Sequence, residues 1–424
     1  MSRYSGPRGT YDVYPGGREP YERPELWAFV EGEAREFFRR YNYAEVLTPV
    51  FEEAQLFVRS VGAASDIVRK EMFVFEDKGG RELALRPEGT AGVVRSYVEH
   101  GLYRQPQPLK LFYVGPMFRH ERQQKGRYRQ HTQIGVEVLG SADPLVDVEV
   151  ISLLYDIHQR VGVKDELVHL NNLGDMETRR AYIPELRAFL QRHRDDLDPD
   201  SIARLETNPL RTFDSKNENT QALLAEAPTI GEFLSPEAST HLAAVVEGLE
   251  SLGIPYEIDE QLVRGLDYYT MTVFEAKSET LGAQDTVGAG GRYNGLIAEL
   301  DGPDLAGIGF GSGIERILLA AASHEGPPEL DVFFVTLAAE ARPAAIKLAS
   351  ALRSEGVACD LDYAQRSAKG QFRQADRLGA AYTAILGEDE LARRVCTLRD
   401  MSSGEERMVS VANGAKELLR AVVD

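Results

Sequence analysis

The sequence predicts an α+β core with an antiparallel sheet, interrupted by a helical insertion and followed by a C-terminal α/β domain. Three observations predict this architecture. Apolar and polar residues alternate on both sides of a basic segment within residues 109–139, which is typical of an antiparallel hairpin. Helical patterns dominate residues 175–255. Strands and helices alternate over residues 330–424, which favours a small α/β domain with a mainly parallel sheet.

Length and composition narrow the class of protein. A chain of 424 residues exceeds the usual size of one domain, so two or three domains are expected. The formal net charge of −19 argues against indiscriminate nucleic-acid binding but allows a local basic site that selects one RNA. Two cysteines, Cys359 and Cys396, cannot form a disulfide framework and favour a reducing cytoplasm.

Several classes of site and location are not expected. No apolar run approaches the length that spans a bilayer, and the first seventeen residues lack the apolar region of a secretion signal. Cysteine pairs at zinc spacing are absent. His120-Glu121 is followed by Gln124 where a metalloprotease helix would place its second histidine, so no zinc site is expected.

The first half of the chain predicts several regular elements. An amphipathic helix is expected over residues 24–41 and a strand in the following AEVLTPVFE, with Pro49 at an edge or bulge. Residues 82–98 predict a strand, a Pro-Glu-Gly-Thr turn and a helix, with Thr90 as its cap and Glu88 projecting. Local chemistry supports a plain capped turn as well as a binding role. A further helix is predicted at 144–162.

The basic segment is the strongest chemical signal. Between Arg119 and Arg129 lie five cations and one acid, Glu121, which makes a positive island on an acidic protein. The flanking alternation places this island at the tip of the predicted hairpin. A planar guanidinium group can hold two phosphate oxygens at once, so a phosphate site is one interpretation. A solvated, charged hairpin is the other.

A second segment, LVRGLDYYT (262–270), combines an arginine, a glycine and two tyrosines. Gly265 permits a sharp turn, and strand periodicity would put Tyr268 and Tyr269 on opposite faces. A buried phenol needs a partner, which a bound imidazole can supply, although a tyrosine-rich core strand explains the residues equally well.

The glycine-rich GIGFGSGIERIL (307–318) does not fit a dinucleotide-binding fingerprint. Ser312 stands where the third glycine belongs, and the acidic residue expected about twenty positions later is not evident. The segment instead predicts a strand that leads into a helix beginning near Arg316.

Three segments resemble the motifs of the class II aminoacyl-tRNA synthetases. The helix at 24–41 with its following strand resembles motif 1, which in the family forms a dimer interface. Phe118-Arg119-His120-Glu121 and the basic loop resemble motif 2, and GIGFGSGIERIL resembles motif 3. Three others, LRPEGTAG (85–92), LVRGLDYYT and AGGRYNGL (289–296), are similar to signatures of the histidyl-tRNA synthetases.

The resemblance implies a fold, a reaction and partners. It implies a class II catalytic core over residues 1–322 with the helical insertion at about 175–255, a linker at 323–329 and an anticodon-binding domain at 330–424. It further implies a cytoplasmic homodimer that joins L-histidine to tRNA(His) using ATP with Mg²⁺, without zinc or another protein-bound metal. The catalytic arginines would be Arg119 and Arg264 at the α-phosphate and Arg316 at the outer phosphates.

The remaining site residues follow from the same resemblance. Those implied for histidine are Glu88, Gly89, Thr90, Gln133, Glu137, Tyr268, Tyr269 and Tyr293. Those implied for ATP are Arg119, Glu121, Arg127, His131 and Arg316. The tRNA acceptor end would meet Arg122, Gln124 and Lys125, and the anticodon would meet Arg366, Lys369 and Arg373.

Three positions depart from the family pattern. His131-Thr132 replaces a phenylalanine followed by histidine or asparagine, so adenine would stack on a smaller imidazole ring. Gln123 replaces a common proline and Asn294 a common aspartate. None of these changes removes a charge that phosphate chemistry needs.

Three alternatives belong to other functional classes or specificities. A catalytically silent relative that regulates histidine biosynthesis would lack the anticodon domain and the motif arginines. A non-enzymatic RNA sensor would carry additional regulatory domains. A prolyl, glycyl or threonyl enzyme would lack LVRGLDYYT.

Overall fold

The computed structural model describes residues 4–62, 65, 67–121, 126–282, 285–321 and 330–423. The chain divides into two compact units, residues 1–324 and 325–424, each with its own hydrophobic core. The predicted linker at 323–329 lies outside the described residues. Within the described ranges, no helix combines the length and the apolar character needed to cross a membrane.

The described part of the first unit contains eleven strands. They are β1 (Ala44–Glu45), β2 (Phe51–Glu53), β3 (Val74–Glu76), β4 (Glu82–Leu85), β5 (Leu109–Phe118), β6 (Gln130–Leu139), β7 (Glu166–Asn172), β8 (Tyr256–Ile258), β9 (Thr270–Ser278), β10 (Thr286–Arg292) and β11 (Gly307–Gly313). Eight of them form one sheet in the order β1-β5-β6-β11-β10-β9-β7-β8.

The large sheet is antiparallel except at its edges. Its six central strands pair antiparallel, whereas β1 pairs parallel with β5 and β8 parallel with β7. The hairpin predicted around the basic segment is confirmed: β5 and β6 pair from Leu109 opposite Leu139 to Phe118 opposite Gln130. Residues 122–125 at its tip lie outside the described residues.

The first unit has ten α-helices among its described residues. They are α1 (Pro24–Arg40), α2 (Ala54–Val61), α3 (Thr90–Glu99), α4 (Pro144–Arg160), α5 (Met176–Arg192), α6 (Pro199–Thr207), α7 (Glu218–Leu224), α8 (Pro236–Leu252), α9 (Leu296–Glu299) and α10 (Ile314–Ala320). Short 3-10 turns lie at 20–22, 102–104, 194–196, 209–214, 230–233 and 279–281, and a π-helical turn at 67–71.

Helices cover both faces of the large sheet. On one face, α1, α4, α8 and α10 contribute to the largest apolar cluster. In α1, Leu26, Val30, Ala34 and Phe38 recur every four residues, so they lie on one side of the helix and pack into this cluster. On the other face, α3 and α9 pack in a smaller cluster that is rich in tyrosine. The functional side chains described below lie on this second face.

The segment AEVLTPVFE does not form one strand. Its first part is β1 in the large sheet, and its last part is β2, which belongs to a separate three-stranded sheet in the order β2-β4-β3. Pro49 lies between the two. Proline cannot donate a ladder hydrogen bond, so the chain leaves one sheet and enters the other at this position.

The insertion (residues 176–233) contains α5, α6 and α7. In α5, Tyr182, Leu186, Phe189 and Leu190 recur at helical spacing and form one buried face of a separate apolar cluster. By contrast, Val245 and Leu249 of α8 belong to the large core cluster, and α8 packs against α4. The insertion therefore has a core of its own, while α8 is part of the sheet-covering layer.

The second unit is a five-stranded sheet with helices. Its strands are β12 (Leu330–Thr336), β13 (Cys359–Leu361), β14 (Ala380–Leu386), β15 (Val395–Asp400) and β16 (Glu406–Ser410), in the order β13-β12-β14-β15-β16. Its helices are α11 (Ala341–Ser354), α12 (Ala368–Arg377), α13 (Glu388–Arg393) and α14 (Lys416–Val423).

The sheet of the second unit is mixed, so the prediction of a mainly parallel sheet was wrong for its last two strands. β12 pairs parallel with β13 and β14, but β15 and β16 continue the sheet antiparallel. The physical reason is the length of the connections: the segments before β13 and β14 contain crossover helices, while only five residues join β15 to β16.

Candidate active site

One cavity of about 800 Å³ opens on the tyrosine-rich face of the large sheet. Its walls come from the turn before α3, the β5–β6 hairpin, the glycine-rich strands β10 and β11, and the insertion. It brings together the described residues predicted for phosphate and histidine, with one exception: Glu137 lies directly behind the lining. The lining includes Glu88, Gly89, Thr90, Arg119, Glu121, Arg127, His131, Gln133, Arg264, Tyr268, Tyr269, Tyr293 and Arg316.

The turn before α3 is capped differently from the prediction. Gly89, not Thr90, is the residue that precedes the helix, and the buried Glu88 carboxylate accepts hydrogen bonds from the backbone nitrogens of Thr90 (2.6 Å) and Ala91 (2.9 Å). Glu88 thus supplies the cap from one position further upstream. The Thr90 hydroxyl is left to face the site, where it donates to Glu137 Oε1 at 2.7 Å.

Glu137 is the centre of a buried polar network. The Tyr293 phenol donates a hydrogen bond to the second carboxylate oxygen of Glu137. Burial raises the pKa of Glu137 to about 8, against the opposing effect of the hydrogen bonds from Tyr293 and Thr90. A carboxyl group with this pKa is poised to lose its proton when a cationic or N–H-donating ligand arrives.

The strand next to Glu137 needs a glycine. A Cβ at Gly309 would lie 2.1 Å from Glu137 Oε2 and 2.2 Å from the Val136 carbonyl oxygen. Contacts this short cannot be accommodated, so the glycine allows β11 to approach the carboxylate. The glycine-rich run therefore shapes the pocket as well as leading into α10.

The signature loop (residues 259–269) joins β8 to β9 and carries the two tyrosines. The prediction that they lie on opposite faces of a strand was wrong, because β9 begins only at Thr270 and both residues lie in the preceding turn. Their ring centroids are 4.6 Å apart, and Tyr268 also meets Tyr293 edge-on at 5.7 Å. The turn places both phenols on the same side, at the cavity.

Arg264 of the signature loop is held by an acid that the sequence reasoning missed. Its guanidinium pairs with Glu275 of β9 and lies 5.8 Å from the centroid of the Tyr269 ring. Glu275 also accepts a hydrogen bond from the Thr286 hydroxyl at 2.9 Å. Arg264 Nε is buried and has no hydrogen-bond partner among the described residues.

Two further arginines lie on the hairpin side of the cavity. Arg119 donates from Nε to the Pro87 carbonyl at 2.8 Å, which fixes it beside the turn before α3. Glu121 lies between the cations, 3.8 Å from Arg119 Nη1 and 3.2 Å from Arg127 Nη1. The acid holds the two guanidinium groups close together without cancelling their positive charge.

His131 occupies the position of the adenine-stacking aromatic ring in the related motif. It follows Gln130 at the start of β6 and is opposite Met117 in the hairpin. Burial, with the nearby Arg119 charge, lowers the pKa of His131 to about 3. The ring is therefore neutral at physiological pH.

Arg316 lies in the first turn of α10, as the sequence predicted. Its Nε donates to the Thr286 carbonyl at 2.5 Å, and burial together with the Arg127 charge lowers its pKa. The neighbouring Glu315 was missed. It is buried, burial raises its pKa to about 7, and it accepts hydrogen bonds from the Tyr11 phenol and from the backbone nitrogen of Thr132.

Comparisons with known proteins decide the family. A histidyl-tRNA synthetase family model matches residues 25–317, and an anticodon-binding-domain model matches residues 331–421. The chain belongs to the histidyl-tRNA synthetase family. It is 71% identical to a histidine–tRNA ligase of Rubrobacter xylanophilus over 422 residues, which covers 99% of both chains.

More distant relatives agree. A histidine–tRNA ligase of Halothermothrix orenii is 46% identical over 421 residues, which covers 98% of this chain and 99% of the relative. The crystal structure of apo histidyl-tRNA synthetase of S. aureus superposes with a TM-score of 0.79 at 39% identity, covering 99% of both chains. The match to the anticodon-domain model disfavours the silent paralogue, for which loss of that domain was expected.

The insertion contributes residues that motif reasoning in the histidyl-tRNA synthetase family did not single out. Asp198, Asp200, Arg204, Arg211 and Lys216 line the same cavity as the motif residues. Charged residues in a segment without a recognised motif are usually solvent-exposed, so the sequence carried no signal for this role. Only the packing of the insertion against the signature loop reveals it.

Of the two groups of predicted tRNA contacts, the structure describes only the group in the second unit. Arg122, Gln124 and Lys125 lie outside the described residues. In the second unit, Lys369 and Arg373 are exposed on α12, while Arg366 donates to Asp362 at 2.5 Å just before the Ser367 cap. Among the described residues, no group of three or more His, Cys, Asp or Glu side chains is arranged to hold a metal ion.

Proposed function

We propose that this chain activates L-histidine with ATP to histidyl-adenylate and transfers the histidyl group to tRNA(His). The observation that supports this most directly is the composition of the one cavity. Four arginines line the cavity and supply the positive charge that phosphates need: Arg119, Arg127, Arg264 and Arg316. The same cavity contains Tyr268 and Tyr269 and borders the hydrogen-bonded network of Thr90, Glu137 and Tyr293. Family membership points to the same reaction.

In the first step, a carboxylate oxygen of histidine attacks the α-phosphorus of ATP, and pyrophosphate leaves. Negative charge accumulates on the α-phosphate oxygens in the transition state, and preorganised guanidinium groups stabilise it. Arg119 is fixed by the Pro87 carbonyl and Arg264 by Glu275, so neither has to reorganise during the step. In the second step, a hydroxyl of the terminal ribose of tRNA attacks the histidyl carbonyl, and AMP leaves.

The histidine side of the cavity selects for polarity. Glu88, Thr90 and Gln133 would hold the α-ammonium group, and Glu137 and Tyr269 would bind the imidazole nitrogens. An amino acid of similar size with an apolar side chain would leave Glu137 and Tyr269 without the imidazole nitrogens as partners. Such pockets reject isosteres far more strongly than apolar pockets do.

Mg²⁺ would arrive with ATP and neutralise charge on the outer phosphates. The cavity wall offers the ligand type that Mg²⁺ prefers: Glu121 and Glu315 both line it, and Glu315 Oε2 has no hydrogen-bond partner among the described residues. Arg316 would share the outer phosphates with the ion. The adenine ring would stack on the neutral imidazole of His131.

The tRNA would be bound at two places. The acceptor end would meet Arg122, Gln124 and Lys125 at the hairpin tip, and the anticodon would meet Arg366, Lys369 and Arg373. The corresponding domains are the catalytic core at 1–322, the linker at 323–329 and the anticodon domain at 330–424, with the insertion at 176–233 because α8 packs on the core. A cytoplasmic location fits the two buried free cysteines.

Amino-acid-dependent ATP–pyrophosphate exchange, measured without tRNA for each of the twenty amino acids, tests the proposal. We expect exchange with histidine, because only that side chain satisfies the buried carboxyl–phenol network. A second assay measures charging of tRNA(His). Absence of exchange with every amino acid would contradict the proposal and would redirect attention to the regulatory relatives.

We also propose that the protein is a homodimer. The surface around the three-stranded sheet exposes an apolar patch that includes Leu47 (79% exposed), Phe51 (48%) and Phe75 (42%). Phe51 and Phe75 meet edge-on, with ring centroids 6.3 Å apart. Exposed apolar side chains of this kind mark an interaction surface, and Leu47 and Phe51 lie in the segment that resembles motif 1.

Replacing Phe51 with aspartate should shift the protein from dimer to monomer. A buried unpaired charge costs several kcal/mol, which weakens association by roughly a hundredfold or more. Sedimentation equilibrium should give twice the 47.1 kDa chain mass for the native protein and the single mass for the variant. Leu145→Asp, at a residue 64% exposed elsewhere, is the matched control. A monomeric native protein at micromolar concentration would refute the dimer.

A further inference from the structure

We propose that the insertion positions the signature loop for amino-acid activation, through three hydrogen-bonding side chains: Arg179, Asn208 and Arg211. This inference rests on the proposed function, because its effect is on the activation step. It assigns these three as positioning residues, which act through Arg264, Tyr268 and Tyr269 rather than by touching the reacting atoms. It also makes the insertion a part of the amino-acid site.

The catalytic core holds the signature loop mainly at its beginning. Asp259 donates its backbone nitrogen to the Leu170 carbonyl at 2.9 Å, and the Asn171 amide donates to the carbonyls of Glu260 (3.2 Å) and Leu262 (3.0 Å). After that, the backbone bond from Asp267 to the Val61 carbonyl is long, at 3.3 Å. The backbone around Arg264 is therefore held to the core at few points, although the Arg264 guanidinium itself pairs with Glu275 of β9.

The insertion holds the second half of the loop. Arg211 donates from Nη1 to the Gly265 carbonyl at 3.1 Å, and the Asn208 amide donates to the Asp267 carboxylate at 2.9 Å. Arg179, from the first turn of α5, donates from Nη2 to the Tyr269 carbonyl at 2.5 Å. The three contacts fall at Gly265, Asp267 and Tyr269. They therefore hold the stretch of chain that positions Arg264 and the two tyrosines.

Arg211 is built to hold its position. It is only 8% exposed, its Nε donates to Asp214 at 2.6 Å, and Arg204 donates to its carbonyl at 2.8 Å. A fixed guanidinium group is a rigid support for the Gly265 carbonyl. The carbonyl it supports belongs to the glycine that directly follows Arg264.

The contact is polar, whereas each partner is stabilised by its own apolar core. Tyr182, Leu186 and Leu190 pack inside the insertion, and the loop tyrosines pack with the cluster on the sheet. Interfaces made of hydrogen bonds can shift without unfolding either side, as is typical of elements that move relative to each other. The insertion therefore can transmit a change in its position to the loop.

Reciprocity follows from thermodynamics. If the insertion stabilises the loop conformation that binds histidine and ATP, then those ligands must stabilise the insertion contact by the same free energy. The cavity wall includes Asp198, Lys216 and Asn217 of the insertion, so its occupant lies against both elements. Ligand binding should therefore be detectable within the insertion itself.

Arg211→Met tests the positioning role, because methionine keeps most of the side-chain length and removes every donor. In histidine-dependent ATP–pyrophosphate exchange we expect the KM for histidine to rise and kcat to fall, each by roughly tenfold, as for loss of a hydrogen bond from a charged group. The KM for ATP should change less than about twofold, because Arg119, His131 and Arg316 are untouched. Arg211→Lys, which keeps one donor, should recover part of the loss.

Arg187→Met is the matched control. Arg187 also lies in the insertion, on α5, but its Nε donates at 3.2 Å to the carbonyl of Leu205 on α6, so this contact stays within the insertion. It should leave both KM values unchanged. Equal losses in the Arg187 and Arg211 variants would reduce the effect to general instability of the insertion and would overturn the proposal, as would native kinetics in Arg211→Met.

Hydrogen exchange gives a second readout that does not depend on turnover. Histidinol with ATP occupies the site without reacting, because histidinol lacks the carboxylate. We expect slower amide exchange at residues 208–215 in the native protein and no slowing in Arg211→Met. Unchanged exchange in the native protein at saturating histidinol and ATP would overturn the coupling, whereas a native protein with no pyrophosphate exchange would instead contradict the proposed function.

Discussion

Replacing Arg264 with alanine should lower histidine-dependent ATP–pyrophosphate exchange by about 10³-fold, the scale of a catalytic arginine in phosphoryl transfer. The guanidinium lies at the cavity with Nε unpartnered among the described residues, while its other end is fixed by Glu275. In the proposed mechanism, Arg264 interacts most strongly with the charge that develops on the α-phosphate. The affinity for histidine, measured by calorimetry without ATP, should therefore change little.

The pairing with Glu275 complicates this variant and supplies its control. Alanine at 264 removes the cation that pairs with the Glu275 carboxylate and leaves it the hydrogen bond from the Thr286 hydroxyl, so a poorly compensated charge remains on β9. The double variant Arg264→Ala with Glu275→Gln removes that stranded charge. If the loss of activity came from the carboxylate, the double variant would recover it; if Arg264 stabilises the transition state, the double variant stays inactive. Arg160→Ala, which breaks the exposed pair with Glu33, should have native activity.

Replacing Glu137 with glutamine should weaken histidine binding by roughly a hundredfold, since a hydrogen bond to a charged group is worth about 1.5–3 kcal/mol. The amide keeps the shape of the carboxyl group. Its oxygen accepts from one of the two hydroxyls of Thr90 and Tyr293, and its NH₂ group donates to the other. It cannot become an anion when the imidazole N–H or a cation approaches. Calorimetric titration with histidine measures the loss, and native affinity would refute the assigned role.

The raised pKa of Glu137 adds a pH dependence with a defined sign. Its pKa rises from 4.5 to about 8 on folding, chiefly because of burial, so the ligand-free native state holds this proton between those two pH values and the unfolded state does not. Stability from this group is therefore present below about pH 4.5 and is lost as pH rises through about 8. Glutamine removes this titration and should stabilise the ligand-free protein at pH 8 by on the order of a few kcal/mol.

Thermal unfolding from pH 5 to pH 9 measures this difference. The gap in Tm between Glu137→Gln and the native protein should widen with pH in the ligand-free state and shrink when histidine is added, because histidine binds the ionised carboxylate. Calorimetry in buffers of different ionisation enthalpy should also show proton release on histidine binding near pH 7 for the native protein alone. Glu33→Gln, in an exposed pair, is the control. A constant gap would mean that Glu137 is already ionised before histidine binds.

The local elements were largely readable from the sequence. The β5–β6 hairpin is predicted by alternating apolar and polar side chains on both sides of a polar segment. Helices α1, α4 and α5 are predicted by apolar residues at helical spacing. These signals are local, because side-chain periodicity is a property of one segment. Arg119, Glu88 and Arg316 were identified for the same reason, since each lies in a short contiguous motif.

Pairings between distant segments were not readable. Tyr11 and Glu315 are 304 positions apart, Arg264 meets Glu275 on the following strand, and Arg211 meets Gly265 across 54 positions. No periodicity or spacing in the chain records which buried donor will find which acceptor. The prediction for Tyr268 and Tyr269 was wrong for the same reason, because a distant contact decides their direction. Strand β9 begins at Thr270, after both tyrosines, and Arg179 donates a hydrogen bond to the Tyr269 carbonyl in the preceding turn.

The sequence by itself therefore determined the fold class, the family and the kinds of side chain at the site. Patterns and motifs are local, so they can be recognised in the sequence without the fold. The tertiary structure alone decided that Glu275 holds Arg264, that burial raises the pKa of Glu137, and that residues of the insertion line the cavity. Burial and hydrogen-bond partnership are properties of the packed chain. They arise only when segments far apart in sequence exclude water from one another.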